Sequence, residues 1–143
     1  QCNTFDLPPI ESIANETIKK FKLDDRVRAI SGDFFKEEFP KADVVAMGNI
    51  LHDWNEESKI KLIQKAYDAL PEGGAFIVIE ALIDNDRKEN AFGMMMSLNM
   101  LIETSDGFDY TFNDFNRWTG KIGFKSTTIL PLSGPSSAAI AYK

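Results

Sequence analysis

Short apolar runs alternate along this chain with segments in which apolar residues recur at intervals of three and four. Runs bounded by turn residues predict four strands, at residues 3–6, 27–31, 43–48 and 75–82. The segments between them predict helices, and strands separated by helices indicate parallel crossovers in an α/β sheet. The last two runs, 126–130 and 138–142, are joined by a short loop, so we expect them to pair antiparallel.

Capping residues predict where the helices begin. Pro8 and Pro9 suit the first turn of one helix, Asn55 and Thr111 cap two others, and a fourth is expected from about 89 to 103. The first helix is predicted to carry on one face the residues Ile10, Ile13, Ala14, Thr17, Ile18 and Phe21, at spacings of three and four. The helix after Asn55 is predicted to bury Ile60, Ile63, Tyr67 and Leu70. The helix at 89–103 is apolar nearly all round, which predicts that it is buried or lines a cavity.

Composition narrows the class of protein. The 143 residues are 43% hydrophobic and 27% charged, as in an ordinary globular domain. The net charge of −6, without a basic patch, argues against a nucleic-acid partner. No apolar run is long enough to cross a membrane, and the single cysteine, Cys2, excludes an intrachain disulfide, so we expect a cytoplasmic protein. One histidine and one distant cysteine predict no metal site.

Polar side chains follow the strands at the edge where open α/β sheets bind ligands. Asp6 follows the first strand, where an acid can accept hydrogen bonds from ribose hydroxyls, although a turn aspartate before Pro8 is the alternative. Asp33 and Phe34 follow the second strand and suit an adenine pocket, or else a solvated acid beside a core phenylalanine. Asn49 ends the third strand.

His52 is the only histidine, and it lies just past the third strand. Its ordinary pKa of about 6.5 suits proton transfer near neutrality, although a lone histidine is often structural. Glu80 stands in an apolar strand, so it either reaches solvent at the strand end or meets a polar partner such as a histidine. Asp109 is a second candidate carboxylate, in a loop before Thr111.

The methionine-rich helix at 89–103 is the candidate wall of a substrate pocket. Met96 and Met100 can adapt to flat rings, although core packing is the simpler interpretation. Asn99 lies within this apolar stretch and is expected to need a polar partner, from the protein or from a ligand.

These features occur together in motifs of one enzyme family. The motifs are, in order, FDLP at 5–8, DRVRAISGDFF at 25–35, GNILHDWNEE at 48–57, ALPEGGAFIVIEALI at 69–83, MSLNMLIETSDG at 96–107 and GF at 123–124. The chain resembles the catalytic domain of S-adenosylmethionine-dependent small-molecule O-methyltransferases, which include caffeic acid, acetylserotonin and bacterial polyketide enzymes. The resemblance implies a Rossmann-like class I methyltransferase sheet and methyl transfer from S-adenosylmethionine, without a metal, to a hydroxyl of a small, aromatic molecule.

The resemblance also implies roles for individual residues. His52 would be the general base, and Glu80 and Asp109 the acids that flank it. The cofactor would be bound by Asp6, Leu7, Asp33 and Phe34, with a less certain contact from Asn49. The acceptor would be bound by Asp53, which shares a motif with Trp54, and by Met96, Asn99 and Met100. Around Asp109 the family usually has a GKERT-like stretch; this chain has GFDYT, with a shorter acid and without the basic neighbours.

One departure concerns the start of the chain. The family's first strand and glycine-rich cofactor loop precede FDLP, and a helical domain that makes a homodimer precedes both; none of these is among the 143 residues. We therefore expect residues 1–143 to be an incomplete C-terminal catalytic domain, truncated at the N-terminus. Two other hypotheses stay open: a non-catalytic Rossmann-like binding or dimerisation fragment, and a nicotinamide-dependent oxidoreductase, for which Asp6 would serve equally well.

Overall fold

The computed structural model describes residues 1–143 and divides them into two units, Gln1–Phe39 and Pro40–Lys143. The first unit contains β1 (Cys2–Asp6), α1 (Glu11–Lys20) and β2 (Val27–Ser31). β1 and β2 pair in parallel, with Asp6 opposite Ser31. The carboxyl ends of both strands therefore lie at the same edge, as the sequence predicts.

The apolar face predicted for α1 is mostly exposed. Only Ile18 is buried, whereas Ile13 is 58% and Phe21 is 62% exposed. Within its unit α1 has only the two strands β1 and β2 to pack on, which is too little surface to cover a helix face. The apolar residues of α1 thus share a face, but little of that face is covered.

The second unit is a four-stranded sheet with three helices. Its elements are β3 (Val44–Gly48), α2 (Glu56–Ala69), β4 (Ala75–Glu80), α3 (Ala91–Glu103), α4 (Phe112–Ile122), β5 (Ser126–Pro131) and β6 (Ser137–Tyr142). The strand order is β3-β4-β6-β5. β3 and β4 pair in parallel, whereas β6 runs antiparallel to both β4 and β5. The α/β class and the antiparallel terminal pair agree with the sequence analysis.

Local capping signals place α2 and α4. The Asn55 side chain accepts a hydrogen bond from the Ser58 N–H at 2.9 Å, and Thr111 forms a reciprocal capping box with Asp114. Both helices bury large side chains against the sheet. The fully buried core residues include Leu62, Ile63, Phe76, Val78, Phe115 and Trp118. The buried face of α2 is rotated by about one position from the predicted one, so it contains Lys59, Leu62, Ile63, Ala66 and Ala69.

The methionine-rich helix α3 is not buried, so of the two predicted alternatives only the second, that it lines a cavity, stays a prediction. Only Gly93 and Met100 are fully covered. Its exposed apolar side chains are Phe92, Met95, Leu98, Leu101 and Ile102. An apolar composition shows which surface avoids water, but it does not supply the element that covers that surface.

No helix has both the length and the apolar character that crossing a bilayer requires.

Candidate active site

A short 3₁₀ turn, Leu51–Asp53, carries His52 at the end of β3. The chain enters it through Asn49, whose φ of 50° lies in the left-handed region that asparagine tolerates better than most residues. The Asn49 N–H still donates to the Ile79 carbonyl at 3.1 Å, so the pairing with β4 extends to this point. His52 is buried, with 7% of its surface exposed.

Glu80, the last residue of β4, holds the backbone of this turn. Its Oε1 accepts hydrogen bonds from the N–H groups of Ile50, Leu51 and His52, at 3.1, 2.8 and 3.3 Å. Glu80 is only 1% exposed, and burial raises the pKa of its carboxyl group. Of the two alternatives predicted for Glu80, solvent at the strand end and a polar partner, the second is observed, and the partner is the backbone of the turn. Glu80 makes no hydrogen bond to the imidazole.

Asp109 is the carboxylate that contacts the imidazole ring. Its Oδ1 lies 3.2 Å from His52 Nδ1, and the residue is 3% exposed. Its own N–H donates to Ser97 Oγ at 3.1 Å, which fixes the loop against α3. The pKa of His52 is raised above 6.5, first by the Asp109 hydrogen bond and then by the charges of nearby acids, while burial opposes the rise.

Asp53 faces the other ring nitrogen. Its Oδ1 lies 3.5 Å from His52 Nε2, and burial raises the pKa of the Asp53 carboxyl, which the His52 charge partly offsets. The imidazole therefore lies between two carboxylates. A bond from Nδ1–H to Asp109 selects the tautomer whose Nε2 is free to accept a proton. The imidazolium formed by that proton would then have an acid on each side.

The loop that carries Asp109 lies directly on the His52 turn. A Cβ atom added to Gly107 would come within 2.6 Å of the His52 carbonyl oxygen and 2.7 Å of the Asp53 carbonyl oxygen. Asn55 Nδ2 donates to Asp106 Oδ2 at 2.7 Å and links the same loop to the start of α2. Position 107 therefore requires a glycine, because the backbone of the His52 turn lies too close to leave room for a side chain.

Lys59 is a residue of this site that the sequence analysis missed. It has no exposed surface, and its ammonium group donates to the Trp54 carbonyl oxygen. The ammonium also lies 3.4 Å from the ring centroid of Phe108 and 5.6 Å from that of Tyr110. Burial lowers the pKa of Lys59 to about 8, although neighbouring acids oppose that shift. The sequence signal that could have identified Lys59 is its spacing: it lies four residues before Ile63, and residues four apart share one face of a helix.

The residues predicted to bind the cofactor through its nucleoside lie in the first unit. Asp6 Oδ1 accepts from the Leu7 N–H at 2.7 Å, and its exposed Oδ2 makes no hydrogen bond within the chain. Asp33 Oδ1 accepts from the Phe35 N–H at 3.0 Å, and its Oδ2 pairs with Lys36 at 2.9 Å, which lowers the pKa of Asp33. A free carboxylate oxygen and the half-exposed Leu7 at a strand end fit a ribose and a flat base.

The remaining predicted residues lie in the second unit. Asn49 is exposed and its side chain makes no hydrogen bond, so it is available to a ligand. On α3, Met96 is half-buried and Met100 is buried. Asn99 is exposed and its side chain makes no hydrogen bond within the chain, so of the two partners expected for it, a protein group and a ligand, only the ligand stays a prediction. No cluster of three His, Cys, Asp or Glu side chains is arranged to hold a metal ion.

Comparison with known sequences gives a consistent result. A family model described as an O-methyltransferase domain matches residues 1–125. The chain is 38% identical over 139 residues to the tetracenomycin polyketide synthesis 8-O-methyl transferase TcmO of Streptomyces glaucescens, covering 97% of this chain and 41% of that protein. It is 33% identical to acetylserotonin O-methyltransferase of Bos taurus, covering 97% of this chain and 40% of that protein. The chain thus spans about two fifths of the length of these relatives.

Solved structures show the same relationship. Human N-acetylserotonin methyltransferase in complex with SAM superposes with a TM-score of 0.88 at 29% identity, over 99% of this chain and 40% of that one. An O-methyltransferase family 2 protein from Planctomyces limnophilus in complex with apigenin gives a TM-score of 0.92 at 28% identity, over 99% of this chain and 42% of that one.

Proposed function

The chain belongs to the S-adenosylmethionine-dependent O-methyltransferase family, and on this premise we propose that its protein methylates a hydroxyl group of a small aromatic molecule with His52 as the general base. The observation that carries the proposal is the His52–Asp109 contact of 3.2 Å within a buried turn. The family match also favours methyl transfer over the nicotinamide-dependent alternative.

His52 would accept the proton of the acceptor hydroxyl at Nε2. Asp109 would keep the other ring nitrogen protonated, because its carboxylate accepts from Nδ1–H. Asp53, at 3.5 Å from Nε2, would stabilise the imidazolium that results. Glu80 would keep the turn in place through its three backbone hydrogen bonds rather than act on the ring. The base, its tautomer and its support would thus come from three different segments of the second unit.

The cofactor would be held in part by Asp6, whose free Oδ2 suits ribose hydroxyls, with Leu7 beside the base. Asp33 and Phe34 would complete the adenine site within the first unit. Bound S-adenosylmethionine supplies a methyl group on a positively charged sulfur, ready for displacement by an oxygen nucleophile.

An aromatic acceptor is supported by two observations. The relatives named above include polyketide and acetylserotonin enzymes, and one structural neighbour was solved with apigenin. On this chain, Met96 and Met100 give α3 the soft, polarizable surface that flat rings contact well. Asp53 and Asn99 would then bind the polar substituents of the acceptor.

The test is methyl transfer from isotopically labelled S-adenosylmethionine to a panel of phenols, compared with anilines and aliphatic alcohols of similar size. We expect phenols to be methylated, and His52→Gln to lower the rate by about 10²–10⁴-fold with little change in cofactor affinity. The rate should rise with pH through a midpoint above 6.5, because His52 must be neutral to act and its pKa is raised.

A competing hypothesis is that proximity alone drives transfer to an acceptor that ionises readily. It predicts that His52→Gln retains nearly the wild-type rate at every pH from 6 to 9. Single-turnover measurement with saturating cofactor decides between the two, and near-equal rates would remove His52 from the catalytic role. Absence of labelled product from every acceptor would overturn the methyl-transfer proposal itself.

A further inference from the structure

Lys59 is a buried cation that the proposed chemistry does not use. Among the buried polar residues, only Lys59 and His52 can carry a positive charge. A general base must be neutral before it acts, so in that state Lys59 is the only buried cation near the acids Glu80 and Asp109. A lysine is rarely buried without a direct carboxylate partner, and no carboxylate lies within 4 Å of this ammonium group.

The contacts of Lys59 join the two segments that form the His52–Asp109 pair. Its ammonium group donates to the carbonyl of Trp54, the residue that ends the His52 turn. The same group lies 3.4 Å from the centroid of Phe108 and 5.6 Å from that of Tyr110. Phe108 and Tyr110 are the neighbours of Asp109 on either side. One charged group thus contacts the segment that carries the base and the segment that carries its acid.

The charged groups that face Lys59 come from three elements. Glu80 lies on β4, Asp109 and Asp106 on the loop before α4, and Glu56 on α2 itself. All four attract the ammonium and favour its charged form. Lys59 therefore offsets negative charge that would otherwise accumulate beside a neutral imidazole, and it does so from α2 rather than from the Asp109 stretch, which carries no basic residue.

We propose that Lys59 is a positioning residue, which fastens the His52 turn to the Asp109 loop and so keeps His52 Nδ1 hydrogen-bonded to Asp109. This inference rests on the proposed role of His52 as the base. Without this connection, the ring would lose its fixed partner at Nδ1. The neutral imidazole would then populate the Nε2–H tautomer, which has no lone pair at the nitrogen that must take the proton.

The direct readout is the tautomer of His52, observed by ¹⁵N NMR at a pH where the ring is neutral. The ring-nitrogen signals of His52 are assigned as those that are absent from the spectrum of His52→Gln. Lys59→Met keeps the apolar stem and removes the charge and the donor. The matched control is Lys61→Met on the same helix, because Lys61 is exposed and pairs only with Glu57.

We expect Nδ1–H to dominate in the wild type and in Lys61→Met, and a mixed population in Lys59→Met. The methyl-transfer rate at saturating cofactor should fall about tenfold or more in Lys59→Met alone, with the KM for the cofactor unchanged. An unchanged His52 tautomer in folded Lys59→Met would overturn the proposal. If Lys59→Met does not fold, Phe108→Leu is the second variant, because it removes the aromatic ring that the Lys59 ammonium contacts. A mixed His52 tautomer population in Phe108→Leu would support the proposal, and an unchanged population would overturn it.

The two proposals fail in different ways. If the wild type transfers no methyl group, the proposed function is wrong, whatever the tautomer shows. If the wild type is active and His52→Gln is not, while the Lys59→Met tautomer and rate match the wild type, only the role of Lys59 is wrong.

Discussion

The backbone hydrogen bonds of Glu80 allow a quantitative prediction about the His52 turn. In the Glu80→Ala variant, the N–H groups of Ile50, Leu51 and His52 lose their acceptor inside the protein. In Glu80→Gln, the amide oxygen can still accept all three, and the amide nitrogen can donate to the hydroxyl of Tyr110, which lies beside the Glu80 carboxylate. The two variants thus separate the acceptor role of Glu80 from its charge.

The expected magnitude follows from the geometry. A buried donor left without a partner costs about 1–3 kcal/mol, and here one bond is short, at 2.8 Å, while the others are longer. The sum is about 3–5 kcal/mol for Glu80→Ala. Removal of a carboxylate whose pKa is raised by burial offsets part of it, so we expect a net loss near 3 kcal/mol. Glu80→Gln should remain within about 1 kcal/mol of the wild type.

Urea unfolding at pH 7 measures these differences. Glu89→Ala is the control, because the Glu89 side chain is exposed and makes no ion pair, and an exposed substitution should change stability by less than about 0.5 kcal/mol. The reasoning is refuted if Glu80→Ala loses no more than the control. It is refuted equally if Glu80→Gln loses as much as Glu80→Ala, because the charge rather than the acceptor would then hold the turn.

Three further predictions concern the same site. Gly107→Ala should destabilise the protein by about 1–3 kcal/mol in urea, because the new methyl group meets the His52 and Asp53 carbonyls; wild-type stability would contradict the close approach. Because the pKa of His52 is raised in the folded state, its contribution to the free energy of unfolding is present below about pH 6.5 and is lost as the pH rises through the folded-state pKa. In His52→Gln, the free energy of unfolding from urea curves should not show this decrease. The free energy of unfolding should rise by up to about 3 kcal/mol between pH 8 and 10.5 in the wild type but not in Lys59→Met, because in that pH range Lys59 binds a proton more fully in the unfolded chain than in the folded one. The same pH dependence of urea unfolding in both proteins would refute this prediction.

The local signals in the sequence were the most reliable. Asn55 and Thr111 were expected to cap α2 and α4, and both do, because a cap depends on residues three positions apart. The end of β4 was predicted less well. The strand was expected to reach residue 82, because Ala81 and Leu82 continue the apolar run, whereas it ends at Glu80.

Burial was harder to predict, since it depends on what covers a surface. The periodicity of α1 identifies an apolar face, but Ile13 and Phe21 remain exposed on it. The same holds for Leu98 and Ile102 on α3. The pairing of His52 with Asp109 spans 57 residues, so it came from the family resemblance and not from spacing. Lys59 escaped notice because a charged residue is normally assigned to the solvent side of a helix.

The energetics of Lys59 suggest why a charge stands at that position. A pKa of about 8 in place of 10.5 means that burial disfavours the ammonium by about 3 kcal/mol relative to a solvated lysine. An apolar side chain of similar length would avoid this cost, and replacing buried charges by apolar groups is often neutral or stabilising. Stability of the fold therefore does not explain the residue. Its ammonium group contacts the Trp54 carbonyl and the Phe108 and Tyr110 rings, and Glu80 and Asp109 are the acids that attract it most. A destabilising group whose interactions converge on the His52–Asp109 pair is best explained by what it does for that pair.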